Sequence, residues 1–131
     1  MKPFARRSSV ESEKASGRSR SKCERRVRAA LVELRAALRD LYGQDAPAAI
    51  LYGSHVRGET NDASDIDVLL VYSAAVKRGQ EIRRLSPILA DLNLEHQVLL
   101  SVLPSDQAEY ATAVGPFWSN VRREGVNLDR V

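Results

Sequence analysis

Cysteine is almost absent from the chain. Among 131 residues there is one, Cys23. A single thiol can form neither an internal disulfide nor a cysteine metal cluster. Long apolar runs are also missing, and none approaches the roughly 18 residues that a membrane span needs. The N-terminus has basic residues but no apolar stretch behind them, so it does not read as a secretory signal. These absences fit a cytoplasmic protein. What is present suits one soluble domain: 44% apolar residues to build a core and 28% charged residues to cover it.

Positive charge is unevenly spread. Residues 1–28 hold ten Lys or Arg and three Glu, a net of +7. The whole chain carries +3, so the remaining 103 residues carry 3 − 7 = −4. The basic character therefore belongs to a leader, residues 1–21, and not to the domain over 22–131. The leader, MKPFARRSSVESEKASGRSRS, is poor in apolar residues, and such composition predicts disorder. It could serve as an electrostatic arm for a polyanion. It lacks the interleaved aromatics that stack on bases, so nucleic acid enters only as a possible partner of this arm.

From Lys22 the pattern turns helical. Cys23, Val27, Leu31, Leu34, Leu38 and Leu41 fall on one stripe. Ser21 is placed to cap the start and Gly43 to end it. After Pro47, AAILYG reads as a short buried strand, and DIDVLLVY (65–72) as a second. Residues 79–93 are helical again, with Ile82, Leu85, Leu89 and Leu92 on one side and Pro87 expected to kink or restart the helix. HQVLLSVL (96–103) reads as a third strand. Pro104 and Ser105 are expected to open a helix over 105–113, and a last helix runs from Pro116 to Gly125. The order implies an α/β (α+β) fold, a small mixed sheet with helices packed on one face.

Between the first two strands lies GSHVRGETNDAS. Residues 53–60 have the spacing of a P-loop, but Glu59 stands where the phosphate-binding lysine must be. A glutamate there would repel phosphate, and Asn61-Asp62 favours a turn where a P-loop continues as a helix. Other residues carry a better reading. A helical turn starting at Ser54 would aim backbone N–H groups at an anion. Gly53 lets the backbone come close, and Ser54 adds a hydroxyl donor. Asp65 and Asp67 are two apart, so on a strand both project from one face. Carboxylates about 7 Å apart along a strand repel unless a cation joins them. Mg²⁺ suits this, since it takes one or two carboxylates together with substrate phosphates. Arg57 could neutralise phosphate; its plain alternative is a salt bridge to Glu59 or Asp62. His55 beside the turn reads as a surface residue.

Gly53-Ser54, then ten residues, then Asp65-x-Asp67, resembles the signature of DNA polymerase β-like nucleotidyltransferases. Within that superfamily the chain is similar to the minimal nucleotidyltransferases (MNT) of prokaryotes, often the antitoxin half of HEPN/MNT toxin–antitoxin pairs. RGE at 57–59 and the ending PFWSNVRREGVNL share the likeness, which covers about residues 25–131. It implies that Gly53 and Ser54 hold the β- and γ-phosphates. It implies that Asp65 and Asp67 bind Mg²⁺ and are catalytic. It implies in-line transfer of a nucleotide from ATP or another nucleoside triphosphate to a hydroxyl, with release of pyrophosphate.

Active members of that superfamily add a third carboxylate on a neighbouring strand. Here the matching position is Ser101, which cannot take a proton as a carboxylate does. Glu95 has the right parity, but about 20 Å of strand rise separates it from Ser101. It could substitute only in a different register. Two functions therefore stand. One is a Mg²⁺-dependent enzyme moving AMP from ATP to a partner protein such as a HEPN toxin. The other is a catalytically weak or inactive antitoxin that neutralises its partner by binding. A minimal domain must borrow its acceptor site, so a partner or a homo-oligomer is implied. Helix 22–42 and the segment around Phe117 and Trp118 offer apolar surface, whose simpler role is packing on the sheet.

Overall fold

A computed structural model of the chain describes residues 10–58 and 65–130, with side chains over 22–58 and 65–129. Residues 1–9 of the leader, and Glu59 and Asp62 as partners for Arg57, lie outside the described residues.

The helices are α1 (Val10–Tyr42), α2 (Ser54–Arg57), α3 (Arg78–His96), α4 (Gln107–Thr112) and α5 (Pro116–Glu124). The strands are β1 (Ala48–Tyr52), β2 (Ile66–Tyr72), β3 (Leu100–Asp106) and β4 (Val126–Asn127). They form one mixed sheet in the order β3-β2-β1-β4. β2 runs antiparallel to β1 and parallel to β3, and β4 pairs antiparallel with the other edge of β1. The parallel pair needs a crossover, and α3 provides it.

The strands are short because each is a brief apolar run, and period two sends alternate residues to opposite faces. Ala49, Ile66, Val68, Leu70 and Leu100 point to the face covered by the two long helices. There α1 contributes Cys23, Val27, Leu31, Leu34 and Leu38, and α3 contributes Leu85 and Leu92. The predicted stripe of α1 is thus its buried face, except for Leu41, which is 39% exposed. Glu81 is a buried carboxylate in this layer, and burial demands a partner. The Tyr42 hydroxyl donates to Glu81 Oε1 at 2.5 Å and lies 2.8 Å from the Tyr72 hydroxyl, tying α1, α3 and β2 together.

Helices do not cover one face alone. Ile50, Leu69 and Val71 point the other way and pack against Val121 and Trp118 of α5, with Tyr110 of α4. The one-face expectation holds for the long helices; α5 adds a second, smaller core behind the sheet.

Four other local differences have physical causes. α1 begins at Val10 and runs through Ser21, because extending a formed helix costs far less than nucleating one. Cys23 is still its first buried residue among those described. α3 continues through Pro87 without a break in the helix, and Ser86 Oγ donates to the Ile82 carbonyl beside it. β3 spans Leu100–Asp106 instead of 96–103 because α3 persists to His96 and Gln97 caps it in the left-handed region at φ 55°. Pro104 therefore lies inside a strand. β3 is a sheet edge, where a missing N–H can face away from the ladder. Asp106, not Pro104, starts the next helix, accepting from Glu109 N at 2.9 Å.

Candidate active site

The ends of β1 and β2 meet where the apolar runs give way to polar residues. Tyr52 pairs with Asp67 across the antiparallel ladder. The chain leaves β1 through Gly53 at φ 84°, ψ −153°, a backbone region essentially confined to glycine. A Cβ on Gly53 would stand 2.5 Å from Asp67 Oδ2. The conformation thus requires glycine, and a side chain here would also have to displace the end of the Asp67 carboxylate. A single turn, α2, follows. Val56 N and Arg57 N donate to the Gly53 carbonyl at 3.1 and 3.3 Å, and Gly58 closes the turn at φ 76°. The N–H groups that begin such a turn have no acceptor within it.

Asp65 is exposed just before β2, and Asp67 is half-buried on it. Burial pushes the Asp67 carboxyl above its ordinary range, and the charge of Asp65 pushes the same way. His55 and Arg57 pull in the opposite direction, so both stand within electrostatic reach of Asp67. The donor set suits a hard divalent cation: two carboxylates that repel each other, only partly offset by His55 and Arg57, beside a turn whose first N–H groups have no acceptor within it. The residues present therefore fit Mg²⁺.

Ser101 pairs with Asp67 across the parallel ladder. Both belong to the odd-numbered series that includes Leu69 and Leu103, so they share a face. Ser101 is exposed. Glu95 lies on α3, not on a strand, and is 59% exposed; with Glu33 it flanks His96, whose Nε2 is 3.1 Å from Glu33 Oε2. This trio joins α1 to α3, and although its ligand atoms converge it includes neither aspartate. Arg57 NH1 lies 3.4 Å from Glu124 Oε1 on α5, a partner not foreseen. His55 is half-buried instead of on the surface, with its Nε2 enclosed. A cavity of about 570 Å³ runs beside it along α1, lined by Val27, Leu31 and Leu51, on the other face from Asp67.

Sequence reasoning also missed the aromatic wall next to Asp67. The Tyr52 ring meets Phe117 edge-on at 5.4 Å, and Phe117 meets Trp118 at 5.0 Å. Burial and the charge of Asp67 push the Tyr52 phenol up. Strand parity could have placed Tyr52, but nothing local places Phe117.

The sequence that builds this end of the sheet has a counterpart in a known family. The profile of the nucleotidyltransferase domain family matches residues 31–121, more than two-thirds of the chain. The chain belongs to this nucleotidyltransferase domain family. The match runs from the middle of α1 to Val121 of α5 and contains Gly53, Ser54, Arg57, Asp65, Asp67 and Ser101. It agrees with a minimal nucleotidyltransferase of the DNA polymerase β-like superfamily, whose general chemistry is nucleotidyl transfer. A search of curated proteins returned no match. Among the described residues, no helix is long and apolar enough to cross a membrane.

Proposed function

We propose that this nucleotidyltransferase is Mg²⁺-dependent and moves AMP from ATP to a hydroxyl on a cytoplasmic partner protein, such as a HEPN-type toxin. One observation carries the reading: Gly53, which opens the turn, lies directly against the Asp67 carboxylate, so the turn and this carboxylate are neighbours. Gly53 and Ser54 bind the β- and γ-phosphates through N–H groups and the serine hydroxyl. Asp65 and Asp67 hold Mg²⁺, which when bound offsets charge on the phosphate oxygens. Arg57 adds positive charge on the same side. The acceptor oxygen forms a bond to the α-phosphorus, the bond to the bridging oxygen breaks, and pyrophosphate leaves. The hydroxyl proton passes to water, because Ser101 is no base at neutral pH.

A second reading is favoured by Ser101 itself. An exposed serine stands directly beside Asp67, where the superfamily's active members carry an acid. In that case the chain keeps the fold and neutralises its partner, or associates with a second copy, by contact. The deciding experiment is transfer of label from α-labelled ATP to a co-purified partner, with Mg²⁺ and with chelator. Labelled partner that disappears in chelator supports the enzyme. A partner that stays tightly bound and unlabelled supports the binding module.

A further inference from the structure

We infer that the Tyr52–Phe117–Trp118 wall is the nucleobase subsite of this chain, with Phe117 as the stacking surface. The inference rests on the triphosphate reading above.

Three observations place it. Tyr52 is the cross-strand partner of Asp67, so the wall starts at the metal-binding pair. The odd-numbered face has two neighbours for Asp67. Ser101 lies on one side and Tyr52 on the other. On the proposed function above, the attacking hydroxyl lies on the Ser101 side, which leaves the Tyr52 side for the nucleoside. Phe117 is then the group that needs an occupant. It stands in the first turn of α5 directly after Pro116, held edge-on by Tyr52 and Trp118 at interplanar angles of 89°. Yet 37% of it is exposed. Two perpendicular neighbours fix the ring in orientation without covering it.

A fixed, open aromatic beside an anion site suits a flat, uncharged, π-bearing ligand. A nucleobase has this character, and stacking on aromatics tolerates any base because each presents a π-face. The subsite therefore adds affinity for a nucleoside over bare phosphate and discriminates little among bases. The wall carries two side-chain hydrogen-bonding groups, the Tyr52 hydroxyl and the Trp118 indole N–H.

The experiment compares ATP with inorganic tripolyphosphate, both with Mg²⁺, on the full chain by calorimetry. Trp118 is the only tryptophan, so its emission reports on the wall independently of activity. ATP should bind about tenfold more tightly than tripolyphosphate and should alone change the emission of Trp118. Phe117→Ala should remove the ATP advantage and leave tripolyphosphate affinity unchanged. Phe117→Leu keeps apolar volume without a π-face and should lose most of the advantage, while Phe117→Tyr should keep it. Circular dichroism identifies any variant that fails to fold, and the wild-type comparison stands without them. Equal binding of ATP and tripolyphosphate by wild type would overturn the subsite and leave the phosphate reading intact. An ATP advantage that survives Phe117→Ala would do the same. If neither ligand binds, the triphosphate reading and this inference fall together.

Discussion

Gly53 lies against Asp67 so closely that the smallest possible side chain on Gly53 would meet a carboxylate oxygen at 2.5 Å. Its backbone also sits at φ 84°, where an L side chain is strained. Gly53→Ala should therefore destabilise the domain by roughly 1–3 kcal/mol and disrupt phosphate binding together. Gly43 is the control. Its φ is also positive, at 64°, but nothing lies within 4 Å of an added Cβ. Gly43→Ala should cost about 1 kcal/mol and leave ligand binding unchanged. Thermal unfolding of both variants, with calorimetry of ATP and Mg²⁺, checks the pair. Equal ligand affinity in Gly53→Ala and wild type would show that the turn does not serve the phosphates.

The carboxylate pair should be dispensable for folding and essential for the ligand. Asp65→Asn with Asp67→Asn removes mutual repulsion, so stability should hold or rise slightly while Mg²⁺-dependent ATP binding is lost. The pH dependence has a definite sign. Asp67 is raised above its ordinary value in the folded state, by burial and then by Asp65. The native state thus holds the proton more strongly than the unfolded chain. Stability falls as pH rises from the ordinary aspartate range through the raised value, then levels off. In chelator, Asp67→Asn should gain on wild type across that window and keep the gain at neutral pH. Unfolding curves from pH 3 to pH 7 test this, and a gain confined to low pH would contradict the assigned direction.

Much of this site was legible because it is local. Gly53, Ser54, Asp65 and Asp67 flank one loop, although Asp65 lies just before β2, so strand parity applies to Asp67 alone. The position of Ser101 followed from parity even though the strand limits did not. β3 was misplaced because Pro104 reads as a helix opener, and only the strand order reveals that β3 is an edge where proline is tolerated. β4, two residues long, has no pattern to detect and exists because β1 offers it a free edge. The contacts of Tyr52 with Phe117, and of Arg57 with Glu124, join residues more than sixty positions apart. They come from the packing of α5 on the second face; the apolar segment around Phe117 and Trp118 signalled packing on the sheet but neither the face nor the partners.

The leader is expected to carry charge and not stability. Residues 1–20 hold six Lys or Arg and two Glu, so removing them takes the net charge from +3 to −1. The first buried side chain described in α1 is Cys23. Deleting residues 1–20 should therefore leave the thermal midpoint unchanged and weaken any salt-sensitive association with polyanions. Differential scanning and heparin retention across a salt series measure the two effects. A midpoint drop of several degrees would place the domain boundary before residue 21.

Ser101→Asp separates the two functional readings. The new carboxylate would face Asp67 across the parallel ladder, beside a group already pushed up by Asp65. In chelator this crowding should cost roughly 1 kcal/mol, lowering the midpoint by about 4 °C. Mg²⁺ should restore the midpoint, because a cation bound only by the folded state adds stability by mass action. If the chain is a weak enzyme, label transfer from ATP to its partner should rise, since the added group supplies both metal ligation and a proton acceptor. If it is a binding module, transfer should stay absent while partner affinity is little changed. Efficient transfer by wild type that Ser101→Asp abolishes would count against Ser101 as the missing acid's position. Glu95 lies on α3 beside His96, so a carboxylate supplied by the partner protein would then be the group to seek.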